Sequence, residues 1–334
     1  AIKRKEGYKE LSELKDSTLP VEELHGEDLY NYLNSYLPKY NTTDEGFVLP
    51  MLAKTLEDNK PFEKYGMFLG QYKINGLRCI VGAEKKEGDL FNPIKLTYTS
   101  REGTRWNLFW MDELIIPGLD KDLLEAMVYG GVCLDGELYL PGYTVNEINS
   151  FVKNNKLPNH YKLQYWCYDI CCEDTSAETR RDRLVCGTVG ARVHVFKSKE
   201  QHLNNTNQFV LLPSVSVSSI TEAIKIRNDF VSYGFEGLIL RNPDSYYQFG
   251  KRNGAMFKYK KVDDGLFVIE DIRSDKRGLP IYTLKNDINS EHFECTINLP
   301  QDAQRAHLEM KNLLIGKEAL VEFRERSGVK QVHS

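Results

Sequence analysis

Five short polar motifs, set among β-rich apolar runs and following one another in a fixed order, constrain this chain more than any other feature. The first is Tyr72-Lys73-Ile74-Asn75-Gly76-Leu77-Arg78, a lysine beside a glycine turn. After it come Leu134-Asp135-Gly136-Glu137-Leu138, Tyr168-Asp169-Ile170, Phe235-Glu236-Gly237-Leu238-Ile239-Leu240-Arg241 and Phe257-Lys258-Tyr259-Lys260-Lys261. A lysine followed by two strand-borne glutamates and a terminal Lys-x-Lys describes a site built around a phosphate and a metal. Taken singly, each residue has an ordinary reading: a surface lysine, solvent-facing glutamates, a core tyrosine, an exposed turn arginine. The order and spacing of the five together carry the argument.

The chemistry explains the residue types. A lysine amine attacks phosphorus only when neutral, yet an unperturbed lysine is protonated at pH 7. Desolvation or neighbouring positive charge frees its lone pair. Lys258 and Lys260 alternate along an expected strand and so share a face. There they would bind an α-phosphate, and their charge would help deprotonate Lys73. Glu137 and Glu236 offer hard oxygens suited to a ribose hydroxyl and to magnesium. Together these groups form an apparatus for nucleotidyl transfer through a lysine phosphoramidate.

From about residue 48 to about residue 326 the chain resembles the ATP-dependent polynucleotide ligases of the covalent nucleotidyltransferase superfamily, specifically the small DNA ligases of phage and viral type. The family motif Lys-x-Asp-Gly-x-Arg is similar to Lys73-Ile74-Asn75-Gly76-Leu77-Arg78. The resemblance implies an AMP-accepting role for Lys73 and a sugar or phosphate contact for Arg78. Ser100-Arg101-Glu102-Gly103 resembles the Ser-Arg-x-Gly element whose arginine faces the nucleic-acid backbone. It further implies that Glu137 lies near the ribose, that Tyr168 stacks on adenine, and that Glu236 serves the metal. Lys258 and Lys260 would hold the α-phosphate, and Gln71 would read the adenine exocyclic amine. Pro50-Met51-Leu52-Ala53, Arg180-Arg181-Asp182-Arg183-Leu184 and Gly250-Lys251-Arg252 are also ligase-like, with Lys251 and Arg252 expected on nucleic acid. ATP and magnesium are the implied cofactors and nicked double-stranded DNA the implied partner, bound by a monomer without a membrane.

Two departures stand out. Asn75 replaces the family aspartate, removing a negative charge beside the nucleophile; altered metal demand or fidelity is expected. The family's last motif, roughly Arg-x-Asp-Lys, is expected shortly after the strand 318–324, and Gly328-Val329-Lys330-Gln331-Val332-His333 does not carry it. Self-adenylylation is the step that motif serves. Three other readings share parts of the pattern: an RNA ligase, an mRNA capping guanylyltransferase, and a non-catalytic nicked-DNA-binding relative.

Composition is consistent with this. With 334 residues, 41% hydrophobic and 28% charged, the chain has the length for two domains with cores of their own. No apolar run reaches the length of a membrane span, and the first residues do not read as a signal peptide. Seven cysteines without a Cys-x-x-Cys pair indicate neither a disulfide framework nor a zinc site. The expected setting is a reducing cytoplasm, bacterial or of a virus-infected host cell. A net charge of −4 argues against a generally basic coat, yet Lys251 to Lys261 holds five basic residues and no acid. Arg273, Lys276 and Arg277 cluster again, and such patches suit backbone phosphates.

The expected fold class is α+β. Residues 1–47 read as a mainly helical extension, with helical spacing over 21–37. Residues 48–261 read as an adenylyltransferase domain, an ATP-grasp-like nucleotidyltransferase core of antiparallel sheets with helices and nucleotide between the sheets. Strands are expected within 68–81, which with 94–99 would bracket the lysine turn as antiparallel strands, and at 138–140, 163–170 and 237–241; helices are expected at 145–153 and 220–233. Residues 262–334 read as an OB-fold β-barrel lacking its last strand, with strands at 266–273, 280–284, 292–299 and 318–324 and a helix at 301–314.

Overall fold

The computed structural model describes residues 47–86, 94–172, 175–188, 192–261, 263–287 and 291–323. The expected extension over residues 1–47 lies outside these apart from Phe47, and so does the segment 324–334. The chain divides into two compact units, 1–259 and 260–334.

Two mixed sheets form the first unit. Strands β1 (Leu52–Thr55), β2 (Phe68–Lys73), β10 (Val215–Val217), β11 (Gly237–Arg241) and β12 (Arg252–Lys260) make a five-stranded sheet ordered β1-β12-β11-β2-β10. A seven-stranded sheet is ordered β5-β4-β3-β6-β7-β9-β8, from β3 (Leu77–Lys85), β4 (Ile94–Ser100), β5 (Arg105–Trp106), β6 (Cys133–Tyr139), β7 (Gln164–Cys171), β8 (Arg192–Val193) and β9 (Phe209–Leu211). The expectation of antiparallel sheets is corrected at three pairings: β1 with β12, β7 with β9, and β8 with β9 run parallel.

The lysine turn also differs from expectation. The part of 68–81 that lies in β3 pairs antiparallel with β4 as expected, but the part in β2 belongs to the other sheet. The chain leaves the five-stranded sheet at Lys73, turns through Ile74-Asn75-Gly76, and enters the seven-stranded sheet at Leu77. A glycine is required at that turn: a methyl group on Gly76 would lie 2.6 Å from Leu138 O and 3.0 Å from Glu137 Oε2.

Alternation assigns the faces. On β2, Phe68 and Tyr72 enter the main apolar core while Gln71 and Lys73 face the cavity; on β11, Leu238 and Leu240 enter that core while Ile239 and Arg241 face the cavity. A smaller apolar cluster, with Ile80 from one sheet and Met256 from the other, closes the space between them. The expected helices appear as Val145–Lys153, started by a Thr144–Glu147 capping box, and Ile220–Ser232, capped by Ser219. No helix among the described residues is long and apolar enough to cross a membrane.

Among the described residues the second unit carries a four-stranded sheet ordered β15-β14-β13-β16, from β13 (Asp263–Ser274), β14 (Pro280–Lys285), β15 (His292–Cys295) and β16 (Glu318–Phe323). Phe267, Ile269, Ile272, Tyr282 and Leu284 form its core. The helix expected over 301–314 is two, Gln301–Glu309 and Lys311–Leu314, separated at Met310.

Gly136 gives a direct test of sheet packing. A methyl group there would stand 2.5 Å from the Trp166 carbonyl oxygen, a backbone atom that cannot swing away. Gly136→Ala should lower stability by about 1–3 kcal/mol, read as a fall in the thermal midpoint; an unchanged midpoint would mean β6 and β7 separate freely.

Candidate active site between two sheets

The cavity, of about 410 Å³, opens between the two sheets. Its walls include Gln71, Lys73, Ile239 and Arg241 from one sheet and Arg78, Glu137 and Tyr168 from the other, with Arg101, Trp106, Arg252 and Lys258 also lining it.

Register explains the convergence. Gly237 pairs with Lys73 on β2, and the Glu236 amide donates to the Lys73 carbonyl at 2.9 Å. Glu236 is thereby set beside the lysine, and Lys73 Nζ donates to its Oε2 at 2.5 Å with both side chains largely shielded. Across the cavity Arg78 pairs directly with Glu137, and Ile80 with Asp135. Glu137 Oε2 accepts the Gly76 amide at 2.9 Å, tying the turn to β6. Burial raises the Glu137 pKa, opposed by Lys73, Arg78 and the Gly76 amide.

Arg78 grips Asp135 with two guanidinium nitrogens, at 2.9 and 2.6 Å, and donates to Met51 O at 2.7 Å. The Tyr247 hydroxyl adds a 2.6 Å bond to Asp135 Oδ2. Burial works against the Arg78 cation, but Asp135 together with Tyr168 and Tyr247 outweighs it and holds the group well above its ordinary range.

Tyr168 owes its place to an irregularity. Asp135 pairs with Asp169, yet the next residue, Gly136, pairs with Cys167, so Tyr168 is the extra residue of a β-bulge. Bulges redirect a side chain. Here the ring lines the cavity, with the Arg78 and Arg241 guanidinium carbons 5.7 and 5.3 Å from its centroid.

Behind Tyr168 lies a buried network. Asp169 receives Arg180 at 2.8 and 3.1 Å and Arg241 at 2.7 Å. Arg241 Nε donates to Gln71 Oε1 at 2.9 Å, and Gln71 Nε2 donates to Tyr168 O at 3.0 Å. Burial pushes the Asp169 pKa up, but the two arginines prevail and hold it below the usual range.

The structure thus brings Gln71, Lys73, Arg78, Glu137, Tyr168 and Lys258 to one cavity, with Glu236 against Lys73. Gln71 is only 3% exposed and both ends of its amide already have protein partners. Arg101 and Arg252 stand on the cavity wall; Arg101 pairs with Glu102 at 2.6 Å, and Arg252 donates to Ala53 O. Lys251 is exposed and does not line the cavity, and Lys260 ends β12 where the second unit begins. Sequence reasoning gave no role to Asp135, Asp169, Arg180, Arg241 or Tyr247. Asp135 and Asp169 lay inside quoted motifs, but only burial separates Arg180 from the exposed Arg183 three residues on.

With that geometry in view, residues 50–260 match the ATP dependent DNA ligase domain, and the chain belongs to that family. It is 25% identical over 304 residues to the DNA ligase of African swine fever virus (strain Badajoz 1971 Vero-adapted), a match covering 85% of this chain and 66% of that protein. The DNA ligase of the isolate Warthog/Namibia/Wart80/1980 matches at the same identity and coverage. The chain therefore spans just under two thirds of the length of these curated relatives. Among solved structures, one from a structure-function study of Lig E DNA ligases is 17% identical with a TM-score of 0.56, over 84% of this chain and 93% of that one. Another, Pmar-Lig_PreS3, is 15% identical with a TM-score of 0.60, over 92% of this chain and 69% of that one. At these identities the likeness is one of fold.

The two acids should show opposite pH signatures. Asp169→Asn leaves two buried arginines short of their counter-ion and should cost about 3–5 kcal/mol near neutral pH. Because Asp169 has a depressed folded pKa, its stabilisation is present above the unfolded carboxylate value and fades as pH falls, so the deficit should shrink in acid. Glu137, with a raised folded pKa, carries no penalty in acid; the penalty builds as pH rises from the unfolded carboxylate value and is complete above the folded one. Glu137→Gln should therefore be more stable than the parent near neutral pH, with the advantage vanishing in acid. Denaturant unfolding across pH checks both signs.

Proposed function

We propose that this protein is an ATP-dependent DNA ligase that seals 5′-phosphate/3′-hydroxyl nicks in duplex DNA through a covalent lysine–AMP. The observation that carries this reading is Lys73, seated in a cavity with Arg78, Glu137, Tyr168 and Lys258 and hydrogen-bonded to Glu236, in a chain of the ligase family.

Lys73 Nζ, once deprotonated, bonds to the α-phosphorus of ATP as the bond to pyrophosphate breaks. Tyr168 offers its ring to adenine, Gln71 lies at the base end, Glu137 takes a ribose hydroxyl, and Arg78 contacts sugar or phosphate. Lys258 and Lys260 neutralise the α-phosphate. AMP then passes to the 5′-phosphate at the nick, and the 3′-hydroxyl attacks that phosphate and releases AMP. Magnesium binds through one or two carboxylates together with substrate phosphates, a pattern that Glu236 fits; among the described residues there is no group of three or more metal-binding side chains. When bound, it would neutralise charge on the transferring phosphoryl group.

Arg101, Lys251 and Arg252 would hold the duplex backbone. The domains would be an adenylyltransferase over 48–261 and an OB fold over 262–334, preceded by an extension over 1–47. Supporting the OB reading, β13, β14 and β15 form a meander, β16 returns to pair with β13, and helices lie between β15 and β16. The protein would act as a monomer, in the cytoplasm of a bacterium or of an infected host cell.

Incubation with magnesium and ATP should add one AMP to the intact mass, GTP and NAD should add nothing, and Lys73→Ala should abolish the adduct. Sealing of nicked duplex DNA should accompany labelling and weaken as salt rises. Labelling by GTP would overturn the ligase reading in favour of a capping enzyme, and sealing confined to RNA nicks would make it an RNA ligase.

A further inference from the structure

A histidine stands where an aromatic core would ordinarily take another phenylalanine. His202, in the helix Lys199–Leu203, is 1% exposed. Its ring stacks on Phe235 at 4.2 Å and 28°, and Phe235 stacks in turn on Tyr72 at 4.2 Å and 15°. Tyr139 lies parallel to the imidazole at 5.7 Å and 8°, while Trp166 and Phe196 meet it edge-on.

Both ring nitrogens are engaged. Nδ1 lies 2.9 Å from Tyr233 O and Nε2 lies 3.0 Å from the Tyr139 hydroxyl. A carbonyl oxygen only accepts, so Nδ1 carries the proton; in the neutral ring Nε2 accepts from Tyr139. Burial lowers the His202 pKa, which favours that neutral form. Gly234, at φ +94°, leaves the space this requires: a methyl group there would come within 2.9 Å of Nδ1.

What the stack touches is specific. Tyr72 immediately precedes Lys73, and Phe235 immediately precedes Glu236. Tyr139 follows Glu137 by two residues on β6, and its Cδ2 would lie 3.4 Å from a methyl group on Gly76. One ring, Phe235, separates His202 from Tyr72, the residue before Lys73, and another, Tyr139, separates it from the Gly76 end of the turn; Phe235 adjoins Glu236 in the chain and Tyr139 lies on the strand that carries Glu137. A purely apolar ring would fill the same volume without fixing Tyr139 relative to Tyr233.

Resting on the reading of Lys73 as the nucleophile, we propose that His202 is a positioning residue for the transfer at Lys73. Through the Tyr139 hydroxyl and the Phe235 ring it sets the spacing between the Lys73 turn and the two glutamates.

Three variants separate positioning from packing. Tyr139→Phe removes only a hydroxyl. His202→Asn keeps an N–H for the Tyr233 carbonyl but loses the acceptor for Tyr139. His202→Gln restores an amide oxygen toward Tyr139. The readout is the single-turnover rate of AMP transfer to Lys73 over a range of ATP concentrations, well below each variant's melting midpoint. Tyr139→Phe and His202→Asn should slow the saturated rate about tenfold, with half-saturation by ATP moving less than about twofold. His202→Gln should recover to within about threefold of the parent. Unchanged rates in Tyr139→Phe and His202→Asn would overturn the inference, as would a shift confined to half-saturation. Equal losses in His202→Asn and His202→Gln would also overturn it, by reducing His202 to core packing. A parent protein that takes up no AMP would instead overturn the reading of Lys73, and the inference with it.

Discussion

The turn Ile74-Asn75-Gly76 is the constraint on which the rest depends, because the chain there passes from one sheet to the other. Lys73 is the last residue of β2 and Arg78 the second of β3. A short turn between strands of different sheets fixes how closely the sheets approach at that end. The Gly76 amide is held by Glu137 from the strand beside β3, and the Lys73 carbonyl by the Glu236 amide before the strand beside β2. One turn therefore orders a lysine, an arginine and two carboxylates around a cavity, without any of them sitting on a long loop. Sites held on strands retain their geometry better than sites held on loops.

Charge is buried behind the cavity in two places and is paired in both. Asp135 is shared by Arg78 and Tyr247, and Asp169 by Arg180 and Arg241. Such networks seldom add stability over a well-packed apolar replacement, but a broken one is costly. What they supply here is orientation. Arg78 is aimed by Asp135, and Gln71 has its amide fixed end for end by Arg241 and by the Tyr168 carbonyl. Glu137 represents the opposite case, a carboxylate whose burial raises its pKa and whose charge is costly to keep. Stability is commonly surrendered at sites that bind and react.

Much of the site was legible in the sequence because its motifs are local. Lys73 three residues before Gly76, and Glu137 beside Gly136, each set a cavity residue near a glycine that a tight turn or close strand packing demands. The strand at Gly237–Arg241 and the helix at Val145–Lys153 were legible for the same reason, since alternation, capping and apolar periodicity are written in neighbouring residues.

By itself, then, the sequence determined which residue types stand at the cavity and which short segments carry them, because motif, alternation and capping are local properties. Only the tertiary structure decided the pairings. It sent β2 and β3 to different sheets, placed a bulge opposite Asp135 and Gly136 that delivers Tyr168 to the cavity, and chose Arg180 over Arg183 for burial against Asp169. It also brought His202 between Tyr139 and Phe235, residues far from it in the chain. Register between distant strands, and the burial of one arginine among several, depend on contacts across the fold that no stretch of neighbouring residues contains.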